Sequence, residues 1–170
     1  MFDEHERTHK MANSEKCRKK TLVVGVGNPI LSDDGVGIRV ARLLKEMEIP
    51  NVDVEELSAS GLELLDMVLG YDKVVIVDAI ITEGGTPGTF YTMEESDFER
   101  TIHGASPHGV NVATALALGR RLAGDRMPSE TSFIAIEVAD IVNVSESLTP
   151  EVAAAVPSVV RKIITDLAKD

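Results

Sequence analysis

Asp33, Asp34, Asp78 and His108 are the side chains of this sequence whose types and positions can do chemistry. Asp34, Asp78 and His108 together make a donor set of two carboxylates and an imidazole. Such a set suits a borderline divalent ion such as nickel or zinc and leaves positions for water or substrate. His108 follows Ser106-Pro107, a hydroxyl cap and a first-position proline, so it sits at the start of a helix. The macrodipole there disfavours imidazolium and keeps the neutral ring that a metal requires. It equally favours the carboxylates of Asp33 and Asp34, which stand where another helix begins. Asp78 ends the apolar run Lys73–Val77, and an acid in that setting is desolvated unless it has partners or a task. Taken singly, an acid at a helix start or a histidine near a cap has an ordinary structural reading, and His103 and Cys17 are read as incidental.

The elements that must position these groups follow from periodicity. Leu22–Val26 is a short β-branched run, Gly25, Gly27, Asn28 and Pro29 break it, and a helical apolar pattern resumes at Val36 and fades near Glu48–Pro50. Val52–Leu57 alternates as a second strand. Ser60 and Glu63 have capping-box spacing for a helix from Gly61 to Leu69. Lys73–Val77 lacks alternation, the mark of a strand buried on both faces, and it ends at Asp78. Thr82–Gly88 is a loop by composition and Thr89–Thr92 an edge strand. The helix opened by Ser106 runs to Leu122 with Gly124 as its stop, and Ser132–Val138 is the last strand. Thr149 caps a terminal helix with Pro150 at its first position, and Pro157 should kink or split it. Strands alternating with helices predict an α/β three-layer sandwich, with a mostly parallel five-stranded sheet and helices on both faces. In such open sheets sites form beyond the carboxyl ends of the strands, so Asp34, Asp78 and His108 share one rim.

The chain has 170 residues, 44% of them hydrophobic, enough for one core and too few for two. Residues 1–20 are polar and read as a disordered tail, leaving 21–170 as a single α/β domain. A net charge of -11 argues against a nucleic-acid footprint and suits a partner with a basic surface. Cys17 is the only cysteine, so there is neither a disulfide framework nor a thiolate metal site, and a reducing cytoplasmic setting fits. No segment reads as a signal peptide or membrane span. Dinucleotide binding is the competing reading of Gly25-Val26-Gly27 with Glu55 or Glu56 at the end of the next strand. It fails at Ile30, where a third glycine belongs, at Pro29, which removes an amide, and at Asp33 and Asp34, which would repel a pyrophosphate.

The run Gly25-Val26-Gly27-Asn28-Pro29-Ile30-Leu31-Ser32-Asp33-Asp34-Gly35-Val36-Gly37 resembles the opening signature of the hydrogenase maturation proteases. The likeness continues through Gly61–Leu65, Val77-Asp78-Ala79, Pro87-Gly88-Thr89, Ser106-Pro107-His108 and Leu148-Thr149-Pro150. The resemblance implies a nickel-dependent endopeptidase of [NiFe]-hydrogenase assembly. It would remove a C-terminal extension from the large-subunit precursor after nickel insertion, using the substrate's nickel as docking point. The family's metal-contacting, catalytic residues fall on Asp34, Asp78 and His108. Nickel is then presented by the substrate, and zinc or cadmium could occupy the site in vitro. A monomer with no membrane or nucleic-acid partner is expected. Asp34 stands where some members carry Glu, and Glu56–Gly61 departs from an acid followed by paired glycines. Neither the residues nor the resemblance choose between metal and carboxylate as activator of the attacking water. A non-catalytic nickel-sensing assembly factor would share the same ligand set.

Overall fold

The computed structural model describes residues 19–58, 61–97 and 109–169. Five strands, β1 (Thr21–Val26), β2 (Val52–Leu57), β3 (Lys73–Ile80), β4 (Phe90–Glu94) and β5 (Glu130–Glu137), form one sheet in the order β2-β1-β3-β5-β4. All neighbours are parallel except β4, which runs antiparallel to β5 at the edge. The longer helices among the described residues are α1 (Val36–Lys45), α2 (Gly61–Val68), α3 (Gly109–Ala123) and α4 (Pro150–Leu167). The expected α/β sandwich is therefore the observed one. Among the described residues, no helix is long and apolar enough to cross a membrane.

Strand alternation divides the core into two layers. Val23, Val75, Val77, Ile134 and Ile136 face Val36, Val40, Ala41 and Leu44 of α1 and Val152, Val156, Val159 and Ile163 of α4. Leu22, Val24, Ile76 and Phe133 face Leu64 and Val68 of α2 and Val112 and Leu116 of α3. Each buried Val, Leu, Ile or Phe among these contributes about 1.5–3 kcal/mol relative to exposure, so both helix layers are held by apolar burial.

Three local expectations need correction. Asp78 lies inside β3, paired with Ala135, because the strand continues to Ile80 under cover of β5. Pro157 does not split α4, which runs unbroken from Pro150 to Leu167. Its ring and Ala153 one turn earlier are both exposed, so water can satisfy the carbonyl that loses its amide partner. Thr149 occupies the cap position of α4 but makes no side-chain cap bond; its hydroxyl donates to Asp33 instead. The amide of Lys20 already donates to Asp72 Oδ2 at 2.8 Å, so order begins within the expected tail. Residues 1–18, Ser60 and the start of the helix after Ser106 lie outside the described residues.

One glycine ties the first helix to the sheet. A Cβ on Gly37 would stand 2.3 Å from the carbonyl oxygens of both Val26 and Val77. The first turn of α1 thus rests directly on the ends of β1 and β3. Gly37→Ala has only backbone to push against and should cost about 2–4 kcal/mol. A denaturant melt checks this; a midpoint equal to that of the parent would contradict it.

Candidate active site

The loop after β1 is built to send two adjacent acids in different directions. Gly27 has φ 144, and a Cβ there would meet Asp34 O at 1.9 Å, so only glycine permits this close return of the chain. Asn28 Oδ1 accepts from the Ile30 amide at 3.2 Å and Asn28 O from the Leu31 amide at 3.1 Å, closing the turn around Pro29. Ser32 then adopts φ 49, an uncommon conformation for serine. Its amide donates to Ser145 O at 2.8 Å, and Leu31 and Ser145 form a parallel bridge. A short 3-10 turn, Ser32–Gly35, carries both acids into α1.

Asp33 is fully buried and is a structural hub. Its Oδ2 accepts from the amides of Ala139 and Asp140, both at 3.1 Å, and from Thr149 Oγ1 at 2.9 Å. Its Oδ1 accepts from the Thr149 amide at 2.6 Å. The whole segment from the end of β5 to the start of α4 is therefore fastened to the 3-10 turn. Asp140 preorganises that segment in turn, accepting from the Asn143 side chain at 2.9 Å and from the Val142 and Asn143 amides at 3.1 Å. The Asn143 side chain, followed by those amides, holds the Asp140 carboxyl below its ordinary value. A depressed carboxyl stabilises the turn above its unfolded value of 3.8, and that contribution is lost as pH falls through the folded value. An NMR titration of Asp140 should show a midpoint below 3.8 that rises toward it in Asn143→Ala. A midpoint unmoved by the substitution would contradict this account.

Asp34 turns the other way. It is 2% exposed, and its Oδ2 accepts from the Asn28 amide at 2.9 Å. Asp78, also 2% exposed, accepts from the Ala79 amide at 2.9 Å. The 3-10 turn carrying Asp34 packs against β3, which carries Asp78, at the carboxyl rim where Gly37 joins them. By strand alternation, Asp78 shares the sheet face of Ile76, the face covered by α2 and α3. These amide contacts orient both carboxylates. These two acids have the chemistry to serve a divalent ion together with an imidazole. His108, the residue before α3, lies outside the described residues, as do all four histidines and Cys17. Among the described residues, no three His, Cys, Asp or Glu side chains gather as a metal cluster.

The sequence model of the hydrogenase maturation protease family, HycI, matches residues 38–166. The chain belongs to that family. As a hydrogenase maturation protease it is a hydrolase of the endopeptidase kind. It is 26% identical over 151 residues to the hydrogenase 2 maturation protease of Escherichia coli, covering 87% of this chain and 90% of that protein. It is 27% identical over 158 residues to the hydrogenase expression/formation protein HupD of Rhodobacter capsulatus, covering 88% of this chain and 71% of the relative. The solved hydrogenase maturating endopeptidase HybD of E. coli superposes with a TM-score of 0.74 at 25% identity, covering 88% of this chain and 93% of the other.

This maturation protease holds a further buried acid at the same rim that sequence reading passes over. Glu137 is 1% exposed at the end of β5, opposite Ile80 and on the sheet face of Asp78. It accepts from the Thr82 amide at 3.2 Å and from the Thr82 hydroxyl, and a Cβ on Gly85 would stand 2.4 Å from its Oε2. Its backbone pairs with Gly88 and Thr89. Glu137 therefore clamps the loop that leaves β3 just after Asp78. The signal is present in the sequence: an acid ending the apolar run Phe133–Ile136 meets the same criterion that singles out Asp78. Glu55 and Glu56, the acids of the dinucleotide reading, pair at the surface with Lys45 at 3.6 Å and Arg42 at 3.0 Å.

Proposed function

We propose that this protease removes a C-terminal extension from the precursor of a [NiFe]-hydrogenase large subunit after nickel insertion. Asp34, Asp78 and His108 meet the nickel that the substrate carries. The observation supporting this reading is the pair of desolvated carboxylates, Asp34 and Asp78, on a turn and a strand that pack together at the carboxyl rim. Together they offer carboxylate oxygens of the kind a substrate-borne divalent ion takes as ligands. Docking on that ion fixes the adjoining scissile bond beside the carboxylates, converting a bimolecular hydrolysis into a positioned one. Held there, the ion would polarise the scissile carbonyl, the metal or a carboxylate would activate the attacking water, and the water's proton would pass to the leaving amine.

The test is intact-mass spectrometry of precursor incubated with this protein, with and without nickel in the precursor. A C-terminal peptide should be lost from the nickel-loaded form alone. Binding without any mass loss would replace the protease reading with a nickel-sensing assembly factor, and cleavage of the nickel-free form would remove nickel from the recognition.

A further inference from the structure

On the other side of the Asn28–Gly35 loop from Asp78 lies a groove of about 610 Å³ between α1 and the start of α4. Its upper end is formed by Pro29, Ile30 and Gly35, the last directly following Asp34, and its walls include Arg39, Leu148 and Ala153. Ile30 is half exposed, so the mouth offers an apolar contact. Arg39 is exposed and, among the described residues, has no acid partner, whereas the neighbouring Arg42 is engaged by Glu56. The groove also holds Glu146, so its charge is mixed, and Arg39 is the guanidinium in it that is not committed to an acid among the described residues.

Resting on the processing function above, we propose that this groove receives the stretch of the extension just after the scissile bond, in extended form. Arg39 reads an acidic side chain within it. The spacing sets the position. Arg39 stands between one and two helical turns beyond Asp34, roughly 8 Å at about 1.5 Å per residue. An extended peptide rises about 3.3 Å per residue and covers that span in two to three residues. The acid read by Arg39 is accordingly the second or third residue of the extension. The planar guanidinium binds a carboxylate through two parallel hydrogen bonds, which gives selection for Asp or Glu over an isosteric amide as well as affinity. The groove volume falls in the range of sites that enclose a small ligand or a few residues of peptide.

The test uses isotope-labelled full-length protein titrated with alanine hexapeptides carrying a single Asp or a single Lys at the third position. The Asp peptide should shift the amide signals of Gly35, Arg39, Leu148 and Ala153, the Lys peptide should not, and Arg39→Glu should weaken the Asp peptide at least about tenfold. In parallel, Arg39→Glu should raise KM for nickel-loaded precursor with kcat nearly unchanged. Absence of shifts, equal shifts with both peptides, or an unaltered affinity in Arg39→Glu would overturn the groove assignment whether or not the precursor is cleaved. Selective shifts together with an uncleaved precursor would instead count against the processing function and leave the groove standing.

Discussion

Asp34→Asn, Asp78→Asn and His108→Ala should each lower processing of a nickel-loaded precursor by about a thousandfold or more. The magnitude follows from what each ligand supplies. Charge stabilisation through a metal is worth several kcal/mol, and about 4 kcal/mol is a thousandfold in rate. The two amide variants separate this loss from misfolding. Asp34→Asn keeps a side-chain carbonyl for the Asn28 amide, and Asp78→Asn keeps one for the Ala79 amide, so the two observed anchoring bonds survive. Removing a desolvated charge also relieves part of its burial cost. Both variants should therefore melt within a few degrees of the parent while processing collapses. Normal cleavage by all three variants would refute the site assignment, and a collapse of melting temperature that parallels the loss would make the residues structural.

Asp33→Ala should show the opposite pattern, a large loss of stability. Asp33 is fully buried and accepts from three amides and one hydroxyl, those of Ala139, Asp140 and Thr149. Alanine leaves these donors without their acceptor at the junction of β5, the 3-10 turn and α4. A buried donor left unpaired costs about 1–3 kcal/mol, and network losses of this kind total about 3–5 kcal/mol. For a chain of this size that is a fall of about 10 °C in Tm. Asp33→Asn, which keeps one acceptor oxygen, should recover part of it. A Tm for Asp33→Ala within about 2 °C of the parent would show that the segment is held by other contacts. The contrast between neighbours carries the reading: Asp33 holds the loop, and Asp34 is what the loop holds in place.

The fold is legible because its signals are local and mutually consistent. The unbroken apolar run of β3, the alternation in β2 and the Gly124 stop after α3 each follow from a few adjacent residues, and Gly124 indeed has φ 52. The rim location of Asp34 and Asp78 follows from the same pattern. The roles within the rim are less accessible, because they depend on partners far along the chain. Nothing near Asp33 in sequence indicates that its acceptors are used by Ala139 and Thr149, which are brought there by the crossover to α4. Thr149 reads as a helix cap from its position before Pro150, but its hydroxyl donates to Asp33 and makes no cap bond. Asp78 reads as the end of its strand because an acid looks like a terminator. Pairing with β5 carries β3 two residues further, an override of local preference by sheet context. Pro157 reads as a breaker, yet the buried face of Val152, Val156, Val159 and Ile163 holds the helix through it.

The most direct test of the central claim is X-ray absorption at the nickel edge, comparing nickel-loaded precursor alone with the same precursor freeze-trapped on this protein before cleavage. Asp34, Asp78 and His108 predict new light-atom oxygen and nitrogen scatterers in the nickel shell of the complex, absent when Asp78→Asn replaces the parent. A nickel shell identical in the free and bound precursor, in a complex that goes on to be processed, would contradict the account.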